Sequence, residues 1–356
     1  MSSKTRNGYI DLLRFVAACI IMYFHFGKAP FLRLDGTWGS FPSGALFVEF
    51  FFMLSGYFAI SSFHASGSSL NIGKFMLKKY VHFLPYTILA TILGYTKVFL
   101  LSDLSFKQIL SRSFMAPFDA LLWSNTGANL VGYMGVFWYL SAMLITMPLI
   151  LYAARKFPSF FREYMVWVVP LFLYGIIIRN LGTLRTADWI FGNLRAIAGM
   201  LLGCGIYYAV QALPKRAFSA SQKTLLTILE LLFLGVAIAF CTVASFSKTY
   251  LDIFCVLMLF LTTAITLSGK SWTCRIHGKF FTFLGKLSLP LYCVHYPIIN
   301  LYKECLPDSS IGFRMVVTTL TALGVAYAVL LIVEHWILPA QKRLSAKWKA
   351  LYESPM

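Results

Sequence analysis

The sequence predicts an all-α fold, a polytopic membrane helix bundle of about ten transmembrane helices with both termini cytoplasmic. Hydrophobic residues fill 59% of the 356 positions and charged residues only 12%, about half the charge of an ordinary globular domain. Mean hydropathy is +0.73. The apolar residues fall into ten stretches, each near the roughly 17–25 residues that a helix needs to cross a bilayer. A soluble exterior needs more charge than this. Disordered, collagen-like and coiled-coil classes are excluded on the same composition.

The first stretch, 9–27, reads YIDLLRFVAACIIMYFHF and contains Arg14 and His25. No small-residue cleavage site follows it, so it is a span and not a cleavable signal. The second, 44–62, reads GALFVEFFFMLSGYFA; it carries Glu49, and Ser55 and Gly56 allow close helix approach. The third, 81–102, begins in the basic segment KFMLKKYVHFLPY. The fourth, 133–154, contains FWYLS. The stretches 163–180, 194–213, 224–243 and 250–268 follow, most of the gaps holding Pro, Gly, Ser or paired basic residues, as linkers do. The ninth, 281–301, holds SLPLYCVHYP, and the tenth, 313–338, ends around Glu334. No internal repeat or low-complexity tract interrupts them. Residues 1–356 therefore read as one domain, its core at about 9–339, with no soluble extension.

The chain has 31 Lys and Arg against 13 Asp and Glu, a net charge of +18. Such an excess reads either as a surface for nucleic acid or another anion, or as the positive-inside bias of cytoplasmic loops. Assigning the loops alternately to two sides decides between them. One side collects Lys4, Arg6, Lys74, Lys78, Lys79, Arg155, Lys156, Arg162, Lys215, Arg216, Lys223, Lys270, Arg275, Lys279, Lys342, Arg343, Lys347 and Lys349 against only Glu163 and Glu353. On the other, Lys28, Arg33, Lys107, Arg112, Arg179, Arg185, Lys248, Lys303 and Arg314 are offset by Asp35, Asp103, Asp119, Asp188, Glu304 and Asp308. The excess is topological, the first side is cytoplasmic, and no nucleic-acid partner is expected. The bilayer itself is the partner, and the expected location is the plasma membrane. The seven cysteines are scattered without CxxC or Cys/His metal spacing, so neither a disulfide framework nor a metal site is predicted.

Ionisable side chains inside spans are costly and are functional hypotheses by default. Arg14 and His25 are eleven residues apart, which places them on one helix face about 16 Å apart, Arg14 near the cytoplasmic end. Arg14 is either a functional cation or a snorkelling topology anchor. Glu49 is expected at the depth of His25, where a carboxylate would fix the imidazole tautomer and stabilise its protonated form; the alternative is a structural ion pair. Lys78, Lys79 and His82 cluster at the cytoplasmic end of the third span. They suit a phosphate-bearing cytosolic ligand such as coenzyme A, or serve as positive-inside anchors. Glu334 matches Arg14 in depth and is expected to pair with it, while Asp11 stands three residues from Arg14 on the same helix.

These residues resemble the acyltransferase-3 family of integral membrane acyltransferases. The resemblance rests on R-x10-H from Arg14 to His25, the FFxLSG block at 51–56 with an acidic residue just before it, FWYLS at 137–141, S-x3-Y-x2-H-x-P at 288–297, and Glu334 late in the last span. It runs from residue 9 to about 339. Glu49 stands where the family usually has Asp, and the family's R-x2-R before the third-span proline is Lys79 and His82 here. The resemblance implies that an acyl group, usually acetyl, moves from cytosolic acyl-CoA to a hydroxyl of a cell-surface or exported carbohydrate. Acyl-CoA is then a co-substrate, and no tightly bound cofactor is expected. His25 is the implied essential histidine with Glu49 holding it, and Arg14, Lys78, Lys79 and His82 receive the donor's phosphates. Ser55, Trp138, Tyr139, Tyr292, His295 and Glu334 line or support the pocket, with Tyr139, Tyr292 and His295 candidates for the oxyanion. Trp138 and Tyr139 read equally as an interfacial aromatic belt. The rival reading is a non-enzymatic exporter of polysaccharide or lipid-linked sugar, because polar intramembrane residues also mark substrate paths.

Overall fold

The computed structural model describes residues 7–32, 36–67, 70–123, 126–127, 132–214, 216–243 and 250–343. Of the charges assigned to the two sides, Lys4, Arg6, Arg33, Asp35, Lys215, Lys248, Lys347, Lys349 and Glu353 lie outside them.

Eleven helices of fifteen residues or more follow one another among the described residues: α1 (Gly8–Phe26), α2 (Val48–Ser66), α3 (Ile72–Leu101), α4 (Phe106–Ala120), α5 (Trp138–Lys156), α6 (Val166–Leu181), α7 (Trp189–Ala212), α8 (Ala220–Thr242), α9 (Asp252–Ser268), α10 (Lys279–Cys305) and α11 (Ile311–Ile332). Ten of them overlay the ten expected stretches. Eight are long and apolar enough to cross a membrane, α2, α5, α6 and α11 each with a short helical extension. The other two are α9, apolar but only 17 residues long, and α10, which carries Lys279, Lys286, His295, Lys303 and Glu304 along its length. Large apolar side chains such as Leu171, Phe172 and Leu320 lie two-thirds exposed on the outside of the bundle, as a lipid-facing surface requires.

Helix α4 was not foreseen; its stretch reads as loop in the apolar pattern. Its start is a capping box, in which Gln108 accepts the Ser105 backbone N–H at 2.9 Å. Its end is fixed by Asp119, which accepts hydrogen bonds from Tyr95 Oη at 2.8 Å and the Met134 N–H at 3.0 Å. Burial raises the Asp119 carboxyl pKa from its ordinary value, and these donors pull it back.

Helix α1 packs on α10, α10 on α3 and α11, and α2 on α7, which also touches α5 and α6. The α2–α7 crossing is the tightest, because each helix gives a glycine to the other's backbone. A Cβ on Gly56 would lie 2.0 Å from the Met200 carbonyl oxygen, and one on Gly203 would lie 2.0 Å from that of Met53. Neither obstacle is a side chain that can turn aside. Gly203→Ala is therefore expected to lower the thermal unfolding midpoint in detergent, overpacking of this kind costing about 1–3 kcal/mol. Gly175→Ala, with open space around its Cβ, is the control that leaves it unchanged.

Candidate active site

The tight α2–α7 contact and the α1–α10 pair leave a cavity of about 1130 Å³ between α1, α2, α3, α5 and α10. That exceeds the roughly 300–1,000 Å³ that holds a drug-sized ligand. At one end are Arg14 from α1 and Lys78, Lys79 and His82 from the first three turns of α3. Deeper in are Ser55 of α2, Tyr139 of α5, and Ser288 and Tyr292 of α10, among Phe51, Leu54, Leu140 and Met143. Seven of the twelve predicted site residues thus line one chamber.

The basic end owes its placement to helix register. Lys78, Lys79 and His82 are one and four residues apart, so they share one side of α3, and the Lys79 ammonium lies over the Phe75 ring at 5.3 Å. Arg14 reaches the chamber one turn beyond Asp11, its ion-pair partner at 3.6 Å. The anticipated Arg14–Glu334 pair does not form: Glu334 pairs with Lys286 at 2.8 Å and lines a separate groove between α10 and α11. Local geometry wins on both sides, since each partner stands on the same or the adjacent helix.

At the deep end, Ser55 Oγ and Tyr139 Oη are 3.3 Å apart. The Tyr139 ring is buried and packs against Phe52 and Tyr292. It is a cavity wall and not part of an interfacial belt. Tyr292 donates its hydroxyl hydrogen to the Val136 carbonyl, so it shapes the wall but has no O–H left for an oxyanion. Trp138 lies outside the lining. It packs on Phe52 and on the Arg195 guanidinium, 5.2 Å from the ring centre.

The expected His25–Glu49 pair is also corrected. Glu49 is fully buried and accepts hydrogen bonds from Arg195 Nε and Tyr174 Oη. Arg195 also donates from Nη1 to the Thr186 carbonyl at 3.2 Å and from Nη2 to the Ala45 carbonyl at 2.8 Å. Glu49 therefore ties α2 to α6 and α7 and faces away from the chamber. The sequence already held the signal for Arg195: a cation within an apolar stretch must find a partner in the protein. Tyr174 has no such signal.

His25, in the last turn of α1, lies outside the cavity lining, its ring level with the interior of α10. Its ring meets Phe24, His295 and Tyr296, with centroids 4.9, 5.2 and 5.6 Å away. Its backbone carbonyl accepts from Lys303 Nζ at 3.3 Å. His295 in turn meets Tyr292 at 5.7 Å. A file of rings, Tyr139, Tyr292, His295 and His25, thus runs from the chamber to the opposite face. No group of three or more His, Cys, Asp or Glu able to hold a metal occurs among the described residues.

A family model described as an acyltransferase domain, that of acyltransferase family 3, matches residues 7–333. The chain belongs to this family. The match covers nearly every helix, so the chamber and the ring file both lie within the acyltransferase domain. No curated protein and no solved structure matches the chain.

Proposed function

We propose that this acyltransferase-3 protein moves an acyl group, acetyl in the first instance, from cytosolic acyl-CoA to a hydroxyl of a cell-surface or exported carbohydrate. The observation that carries the reading is one chamber lined by three cations and an imidazole, with Asp11 beside Arg14, and by hydroxyls among apolar walls. Coenzyme A carries the matching groups, phosphates and a thioester on a long arm. In this reading ten helices span the plasma membrane, α9 and α10 included. The Lys78–Lys79 end opens to the cytoplasm, as the positive-inside bias favours.

The donor's phosphates sit among Arg14, Lys78, Lys79 and His82, and the arm extends toward Ser55 and Tyr139. His25 is approached from the other face by the acceptor. It takes the hydroxyl proton as the oxygen attacks the thioester, which is general base catalysis. Bringing the two substrates together requires a passage past Tyr292 and His295, the rings that stand between the chamber and His25.

The test is purified protein in detergent with radiolabelled acetyl-CoA and carbohydrate acceptors. Measurable coenzyme A binding and label in the glycan are expected. Absence of both overturns the reading. Arg14→Ala and Lys79→Ala should each weaken coenzyme A binding about 10- to 100-fold, since a hydrogen bond to a charged group contributes about 1.5–3 kcal/mol. Lys28→Ala, at the opposite end of α1, should leave it unchanged; equal loss in all three would point to bulk charge and not to a site.

A further inference from the structure

Beside His25 stands a second imidazole whose hydrogen-bonding state is fixed by the backbone around it. His295 is fully buried, and its Nδ1 faces the carbonyl oxygens of Tyr292 at 2.7 Å and Leu291 at 3.3 Å. Carbonyl oxygens only accept, so Nδ1 carries the ring hydrogen. Nε2 is then a bare acceptor, and it has no hydrogen-bond partner among the described groups. Protonating it as well would bury an uncompensated cation with an unpaired N–H. Buried polar atoms are nearly always satisfied, so an open one asks what completes it.

The neighbouring ring is His25, 5.2 Å away between centroids and inclined by 40°. Two imidazoles joined by an N–H···N bond have centroids about 5 Å apart, two ring radii plus the roughly 3 Å of the bond. The spacing therefore fits such a bond, and a turn of the half-buried His25 ring completes it. Nothing else claims either nitrogen of that ring among the described residues; Phe24 and Tyr296 meet it edge-on.

We propose that His295 is the positioning residue of His25: its Nε2 accepts the N–H on one side of the His25 ring and leaves the opposite nitrogen bare toward the acceptor hydroxyl. The proposal rests on the acyl-transfer reading above. The hydroxyl proton passes to that bare nitrogen while the oxygen bonds to the thioester carbonyl carbon. Collapse breaks the C–S bond, and the proton passes from His25 to the departing sulfur, giving an ester and the free thiol of coenzyme A. His295 exchanges no proton. It holds the ring in one tautomer and steadies the imidazolium, the part the sequence assigned to Glu49.

Two variants separate positioning from mere packing. His295→Asn keeps a short amide near the Tyr292 carbonyl but places nothing at Nε2; His295→Gln reaches the Nε2 position with an acceptor oxygen. Carbethoxylation of His25 by diethyl pyrocarbonate, followed by peptide mass spectrometry at alkaline pH, reads the nucleophilicity of its ring without any substrate. In His295→Asn it should slow several-fold, and His295→Gln should recover part of the rate. In the transfer assay kcat should fall on the order of 10–100-fold in His295→Asn, the loss of one hydrogen bond to the imidazolium that forms in the step. KM for acyl-CoA should stay constant. Equal His25 reactivity in wild type and His295→Asn overturns the proposal, whatever the transfer assay gives. So does equal loss in both variants together with loss of coenzyme A binding. If the wild type transfers no acyl group but His25 reactivity still follows residue 295, the paired imidazoles stand and the acyl-transfer reading falls.

Discussion

Replacing His25 by alanine is expected to lower acyl transfer by on the order of 10²–10⁴-fold, the usual contribution of a positioned general base, and to leave coenzyme A binding unchanged. The second half of that expectation comes from the geometry. His25 does not line the chamber; it meets the ring file from the far side, beyond His295 and Tyr292. A base on the donor's side of the chamber would lose both properties together. Single-turnover transfer of radiolabelled acetyl groups and equilibrium binding of coenzyme A, measured on one detergent preparation, separate the two. Transfer retained in His25→Ala would assign the base elsewhere. Loss of binding alongside transfer would place His25 in the donor site and contradict the path described.

Helix existence was readable because apolar stretches announce themselves by length and content: a helix overlies each of the ten, most ends shifted by a few residues and the start of α3 by nine, and eight of the ten are long and apolar enough to cross a membrane. What linear depth could not supply was direction around the helix. Glu49 and His25 were paired because each sat a similar distance along its own span, yet a span position has a full circle of neighbours. On α2 the carboxylate points to α7, where Gly199 brings the backbone close enough that an added Cβ would lie 2.7 Å from it. The same limit undid Arg14 with Glu334. The Asp11–Arg14 contact was legible because both residues stand on one helix, where three-residue spacing fixes the facing. Lys78, Lys79 and His82 came out together for the same reason. The amphipathic α4 was missed because its apolar residues are too sparse to resemble a span, although Ser105 and Gln108 carry the start signal.

Glu49 is also a place where the bundle can be broken. Replacing Arg195 by methionine while Glu49 remains leaves a carboxylate in a fully buried site with, among the described residues, the Tyr174 hydroxyl as its remaining donor. Removing one partner of a buried ion pair costs about 3–5 kcal/mol, because the remaining charge has lost the attraction that offset its desolvation. Arg195→Met is therefore expected to unfold at a much lower temperature than wild type in the same detergent, or to be recovered in poor yield. Adding Glu49→Leu should restore much of the loss, since an apolar pair removes the buried charge along with the bond. Tyr174→Phe removes a single donor and should cost less, about 1–3 kcal/mol. Scanning calorimetry or fluorescence melting of the four proteins reads this order directly. The double variant also separates structure from chemistry: with Glu49 tied to Arg195 and not to His25, its transfer rate per folded molecule should stay within a fewfold of wild type. A stable double variant whose transfer had fallen as far as that of His25→Ala would return Glu49 to the reaction.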